Sequence, residues 1–170
     1  MAGIVFEEVR EEHLSGILKI YNHYVVNSTA TFHAKPLGEE EMRELLFFDN
    51  PRYTAYVIKD DGVICGYCIL TQFKKREAYD CTAEITIYLK EDCMGRGIGS
   101  LAAGYIEKIA LQRGIHSLVA IICGENTASI RMFEKNGYNQ CAHYKKVGRK
   151  FDRFLDVVCY QKLLLPDGNL

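Results

Sequence analysis

Between Thr82 and Gln112 an alternating strand runs into a cluster of glycines and then into an amphipathic helix, and no other stretch restricts the fold as strongly. Thr82, Glu84, Thr86 and Tyr88 fall on one face of that strand, with Ala83, Ile85, Ile87 and Leu89 on the other, the period of two expected of β-structure. The turn Gly95-Arg96-Gly97-Ile98-Gly99-Ser100 follows. The spacing then predicts a helix from Leu101 to Gln112 that buries Leu101, Tyr105, Ile106 and Ile109 and stops at Gly114.

The flanking sequence supplies the rest of a layered domain. Ile4–Val9 reads as a short edge strand. Leu14, Ile17, Leu18, Tyr21, Tyr24 and Val25 mark the buried stripe of a helix over residues 13–27, and a second helix is predicted over 39–48, its acidic first turn suited to a helix N-terminus. Tyr53–Lys59 and Val63–Phe73 read as a hairpin turning at Asp60-Asp61-Gly62. Ser117–Cys123 is apolar almost throughout, as a central strand would be. A short helix at 127–136 and strands at 138–146 and 152–163 complete the order β-α-α-β-β-β-α-β-α-β-β. Residues 1–170 therefore read as one α/β domain, a central mixed sheet flanked by helices on both faces, and 170 residues suffice for a core without staples.

Composition narrows the function. Lys+Arg 21 against Asp+Glu 22 gives a net charge of -1, whereas a chain relying on many phosphate contacts is normally basic, so no nucleic-acid partner is expected. No apolar run approaches the ~20 residues of a membrane span. The acidic Met1–Arg10 segment lacks the pattern of a secretion signal. The seven cysteines are odd in number and lie mostly in apolar stretches, which suits free thiols in a reducing compartment. A cytoplasmic chain without membrane contact is the expectation. Cys65-Gly66-Tyr67-Cys68 has no second pair or histidine partner, its two thiols are expected on opposite faces of a strand, and no metal site is predicted.

Glycines after a strand let several backbone N–H groups converge on one point, and the helix N-terminus adds its positive dipole end. Such a turn could hold a phosphate. A P-loop would need Gly-Lys-Ser/Thr, which is absent, and a dinucleotide fingerprint belongs in a first β-α unit, not past mid-chain. A coenzyme A pyrophosphate site remains, as does a turn that uses glycine for geometry alone.

Arg96-Gly97-Ile98-Gly99 resembles the acetyl-CoA signature of the GNAT N-acetyltransferases, usually Gln/Arg-x-x-Gly-x-Gly/Ala. Ile20-Tyr21-Asn22 with Thr29–Phe32, Ala78-Tyr79-Asp80-Cys81-Thr82-Ala83-Glu84, Ser129–Glu134 with Gly137-Tyr138, and Phe151–Tyr160 with Asp156 resemble the phosphinothricin and methionine sulfoximine N-acetyltransferases over roughly residues 3–163. The resemblance implies the GNAT fold, with a mostly antiparallel sheet, and transfer of an acetyl group from acetyl-CoA to the α-amino group of a small amino-acid-like acceptor. It implies that Ile87, Tyr88 and Leu89 bind the pantetheine arm through their backbone, with a free N–H near Tyr88 or Leu89 polarising the thioester. Gly95, Arg96, Gly97, Ile98, Gly99 and Ser100 would hold the pyrophosphate, and Asn126 would touch the cofactor. It further implies a homodimer with the acceptor site near the interface.

An amine must lose its proton before attacking a thioester, and the resemblance casts Glu84 as the base. On spacing alone Glu84 also fits a solvated or ion-paired carboxylate. Arg76 matches a family arginine that grips the acceptor's acidic group, and equally fits an exposed charge in Lys74-Lys75-Arg76. Phe32 and Tyr79 match family positions lining the acceptor pocket; unaided they read as core aromatics. Two departures stand out: Met94 where the family has Gln or Arg, and Phe133 where it supplies a tyrosine or histidine to protonate the leaving thiolate. Tyr138 is then the nearest phenol, and water the other donor. The alternatives are an N-acetyltransferase for a polyamine, aminoglycoside or peptide terminus, and an acyl-CoA-binding sensor without catalysis.

Overall fold

The computed structural model describes residues 3–164. The termini of the 1–170 domain expectation thus lie outside the described residues. Among the described residues, eleven α-helices and β-strands follow in the expected order, three short 3-10 turns aside: β1 (Ile4–Glu8), α1 (Leu14–Asn27), α2 (Glu39–Leu46), β2 (Thr54–Asp60), β3 (Val63–Gln72), β4 (Thr82–Leu89), α3 (Ile98–Gln112), β5 (Ser117–Cys123), α4 (Thr127–Lys135), β6 (Asn139–Lys150) and β7 (Arg153–Leu163). The strands form one sheet in the order β1-β2-β3-β4-β5-β7-β6. Every pairing is antiparallel except β4 with β5.

Apolar side chains cover both sheet faces. Ile58, Cys68, Leu70, Ala83, Ile85, Leu118, Ala120 and Ile122 pack with Ile98, Ala102, Ile106 and Ala110 of α3 on one side. Val57 and Tyr67 pack with Leu14, Ile17, Tyr21, Met42 and Leu46 of α1 and α2 on the other. Each fully buried side chain of this size contributes roughly 1.5–3 kcal/mol. Asp61 and Gly62, both at positive φ, form the two-residue turn between β2 and β3.

Four local expectations shift. α3 begins at Ile98, because Gly97 sits at φ +78 as the N-cap and the helix starts directly behind it. Its buried stripe is consequently Ile98, Ala102, Ala103, Ile106 and Ala110, and Leu101 faces outward at 38% exposure. α2 ends at Leu46 because Phe47 turns to extended backbone while its N–H bonds the Arg43 carbonyl. β6 runs on to Lys150 against β7. Cys65 and Cys68 share the α3-side cluster instead of opposite faces. The cause is a bulge: Ile58 pairs with Gly66 and Lys59 with Ile64, leaving Cys65 as the extra residue.

Candidate active site

β4 and β5 pair over only three positions, Thr82↔Ser117, Ala83↔Leu118 and Glu84↔Val119. Beyond Glu84, β4 stays with β3 through Leu89, while Ala120–Cys123 of β5 stay with β7. The two strands splay and open a cavity of about 220 Å³. Ile85–Leu89 and Ala120–Ile122 form its two walls, Met94, Gly95 and Gly99 one rim, Asn126, Ser129, Met132 and Phe133 another, and Tyr24 and Ala30 close it from the α1 side.

Register decides which backbone groups the cavity receives. The Lys90 N–H bonds the Cys65 carbonyl at 2.8 Å. Alternate residues of an antiparallel strand turn their peptide groups the same way, so Tyr88, Thr86 and Glu84 also face β3. Ile87 and Leu89 therefore present their N–H and C=O groups to the side β5 has vacated, while the Ile85 N–H still serves the last β4–β5 pair at Glu84↔Val119. The expected free donor is thus Leu89 or Ile87 and not Tyr88, whose N–H is used within the sheet. Tyr88 contributes its ring, stacked on Tyr67, and a hydroxyl that donates to the Ala30 carbonyl at 3.1 Å. The Leu89 carbonyl is already taken by the Tyr24 hydroxyl at 2.5 Å. Burial, with Glu91 nearby, pushes the Tyr24 phenol up to about 12.

At the wide end, Gly95 and Gly97 both hold positive φ, and a side chain at Gly95 would enter open space. The first N–H groups of α3, from Ile98, Gly99 and Ser100, have no intrahelical acceptors. The Ile98 side chain itself is core, and the Ser100 hydroxyl accepts from Asn136 at 2.9 Å. Arg96 is half exposed and paired with Asp60 at 2.6 Å, off the cavity lining. Asn126 lines the cavity and caps α4, its Oδ1 accepting the Ser129 N–H at 3.2 Å. This end can hold an anion by backbone donors and the helix dipole.

Glu84 stands where the strands part, between Thr71 of β3 and Val119 of β5, on the same face as the lining residues Thr86 and Tyr88. Among the described residues its carboxylate has neither an ion pair nor a hydrogen bond, and burial raises its pKa above the usual carboxylate value. A half-buried carboxylate without a counter-charge is suited to accept a proton, not to brace the fold.

Tyr138 cannot serve as the acid at this cavity. It is 2% exposed, packs edge-on against Phe133, and burial drives its phenol far upward. Phe133 does line the cavity, so the wall expected to carry a donor is apolar there. The phenols that reach the cavity are Tyr24 and Tyr88. Phe32 lies across Gly148 of β6, where an added Cβ would stand 2.6 Å from its ring. Arg76 and Tyr79 are not brought to the cavity: both are exposed before β4, Tyr79 against Phe73, and Arg76 has no ion pair among the described residues. Tyr24 is legible only as part of a helix stripe, and the trio Thr29–Glu125–Arg153 joins two loops and the first residue of β7 by bonds of 2.6–2.7 Å that no local pattern announces.

Residues 17–138 match the family model described as the acetyltransferase (GNAT) family. The chain is 32% identical over 172 residues to a phosphinothricin N-acetyltransferase of Streptomyces coelicolor, covering 96% of this chain and 100% of that protein. It is 34% identical over 157 residues to an L-methionine sulfoximine/L-methionine sulfone acetyltransferase of Pseudomonas aeruginosa, covering 90% of each. The crystal structure of a GNAT superfamily phosphinothricin acetyltransferase from Sinorhizobium meliloti in complex with acetyl-CoA superimposes with a TM-score of 0.89 at 27% identity, covering 95% of this chain and 88% of that one.

Proposed function

The chain belongs to the acetyltransferase (GNAT) family, and from that premise we propose that it moves the acetyl group of acetyl-CoA to the α-amino group of a small amino-acid-like acceptor by direct attack, with Glu84 as general base. The observation that carries this reading is the unpaired Glu84 carboxylate at the last β4–β5 pair, directly before Ile85 of a cleft whose β4 wall offers unspent backbone N–H groups.

The residues present fit the cosubstrate. The outward N–H and C=O of Ile87 and the N–H of Leu89 match an extended amide-bearing arm, and the Gly95–Ser100 backbone, opened by two glycines at positive φ, suits a pyrophosphate. When bound, acetyl-CoA supplies an acyl group already activated as a thioester. Glu84 takes the ammonium proton of the acceptor, freeing the lone pair that attacks. The N–H of Ile87 or of Leu89 stabilises negative charge on the carbonyl oxygen, and being fixed in the strand it needs no rearrangement to do so. The Phe133 wall leaves the departing thiolate to a cavity phenol or to water; a thiol pKa near 8.5 makes it a tolerable leaving group.

No helix among the described residues is long and apolar enough to cross a membrane. All seven cysteines are unpaired, which supports a reducing, cytoplasmic setting. A homodimer is supported by exposed apolar side chains gathered on β6, β7 and their turn, among them Tyr144, Val147, Phe151 and Phe154. Light scattering is expected to give twice the chain mass, and Val147→Asp with Phe154→Glu to give the monomer; a wild-type monomer at micromolar concentration contradicts the assignment.

The reading is tested by coenzyme A release from acetyl-CoA with α-amino acids, methionine sulfoximine, phosphinothricin and polyamines. Turnover confined to acceptors with an α-amino group beside a carboxylate is expected. Preference for polyamines, or release from none, contradicts it.

A further inference from the structure

Lys150 is 6% exposed and has no carboxylate within ion-pair reach among the described residues. Its ammonium donates one hydrogen bond, to the Thr31 carbonyl at 2.8 Å, and lies 5.1 Å from the centre of the Phe151 ring. The acidic group on the neighbouring loop, Glu125, is already held by both guanidinium nitrogens of Arg153 and by Thr29. A buried cation normally keeps a counter-ion, because desolvating a lone charge is costly. Two of the three donors of Lys150 remain unspent on protein.

The sheet register shows where this charge sits. Directly opposite residues share a face, so Glu84↔Val119, then Cys123↔Val157, then Gly148↔Leu155 and Lys150↔Arg153 trace one face across β4, β5, β7 and β6. Lys150 and Glu84 are on the same side of the sheet. The segment that Lys150 holds, Ala30–Thr31, reaches the cavity: Ala30 lines it and accepts the Tyr88 hydroxyl, and Tyr21 bonds Thr31. The turn beside Lys150 is held in a costly conformation. Phe151 and Asp152 both have positive φ, which a bulky side chain such as Phe rarely adopts. Strain of this kind persists where the surrounding structure fixes a side chain in place.

We propose that Lys150 is the counter-charge for the acceptor's carboxylate, a specificity-determining residue that holds the acceptor on the Glu84 face of the sheet. This rests on the amino-acid acceptor reading given above. It moves the main carboxylate contact from Arg76, which is exposed on its loop, to a cation inside the fold.

The test compares L-methionine sulfone with its primary carboxamide as acceptors for wild type, Lys150→Met and Arg76→Ala. Loss of a hydrogen bond to a charged group corresponds to about 10- to 100-fold in the acceptor KM. Wild type is expected to prefer the acid by that factor, Lys150→Met to lose the preference with the acetyl-CoA KM unchanged, and Arg76→Ala to keep it. A merely structural lysine would lower turnover of acid and amide alike, so their ratio would survive, and that result overturns the proposal. Wild type that acetylates both equally overturns it without any variant. Wild type that acetylates neither removes the acceptor reading and this inference together. Failure of Lys150 alone appears as an acid preference carried intact into Lys150→Met.

Discussion

Glu84→Gln is expected to lower kcat by about 10²–10⁴-fold, the usual worth of general-base assistance, with the KM for acetyl-CoA within about twofold of wild type. Gln keeps the size and polarity of the side chain and removes only its capacity to take a proton. Glu84 makes no hydrogen bond or ion pair among the described residues, so no structural partner is lost with it. Burial raises its pKa, which places the acid limb of the wild-type kcat/KM profile above the ordinary carboxylate range; in Glu84→Gln that limb disappears. The same shift fixes the sign for stability. The native state holds the Glu84 proton to higher pH than the unfolded chain, so wild type loses stability as pH rises from about 4.5, the ordinary glutamate value, through the raised pKa. Glu84→Gln should therefore melt no lower than wild type at neutral pH while losing activity. Unchanged turnover would remove Glu84 from the chemistry, and a lower melting temperature would point to a bracing role.

The second large effect belongs to Gly66. It lies in β3 opposite Leu89, and a Cβ there would stand 2.5 Å from the Tyr88 carbonyl oxygen and 3.1 Å from the Leu89 Cα. These are backbone atoms of the cleft wall, so β4 itself must move. The peptide pushed is the one whose N–H, on Leu89, faces the cavity. Gly66→Ala is expected to destabilise the fold by about 1–3 kcal/mol, a melting shift of roughly 2–4 °C per kcal/mol in a chain of this size. It should also raise the KM for acetyl-CoA. Gly104→Ala serves as the control: its added Cβ meets nothing and it lies inside α3, so a gain of about 0.5–1 kcal/mol is expected. A Gly66→Ala chain with wild-type stability and acetyl-CoA KM would show that β4 has slack at this point.

Much of the architecture was legible because periodicity reports burial. The alternation in Thr82–Leu89 separated the buried Ala83 and Ile85 from the Glu84 face. It could not report how far β4 follows β5, since pairing that stops at Glu84 leaves no mark on the spacing of either strand. The bulge at Cys65 leaves no sequence mark for a similar reason, because one unpaired residue reverses the face of its neighbours without changing composition. The glycine turn stands where the spacing predicts it, yet the onset of α3 depends on the φ of Gly97, a backbone fact. Glu84 is singled out in the sequence by resemblance to a motif, not by spacing. No sequence pattern singles out Lys150, whose bond spans 119 residues to Thr31, a contact only the folded sheet creates. Arg76 reads equally well in either role, and its exposed loop shows how little a charge run says about direction.

Solving the structure of the chain with acetyl-CoA bound tests the central claim most directly. The thioester carbonyl oxygen is predicted within hydrogen-bond distance of the Ile87 or Leu89 N–H, with the acetyl carbon turned toward the Glu84 side of the splay. A thioester lying outside the β4–β5 opening, or a carbonyl held only by side chains while those N–H groups face protein, would contradict it.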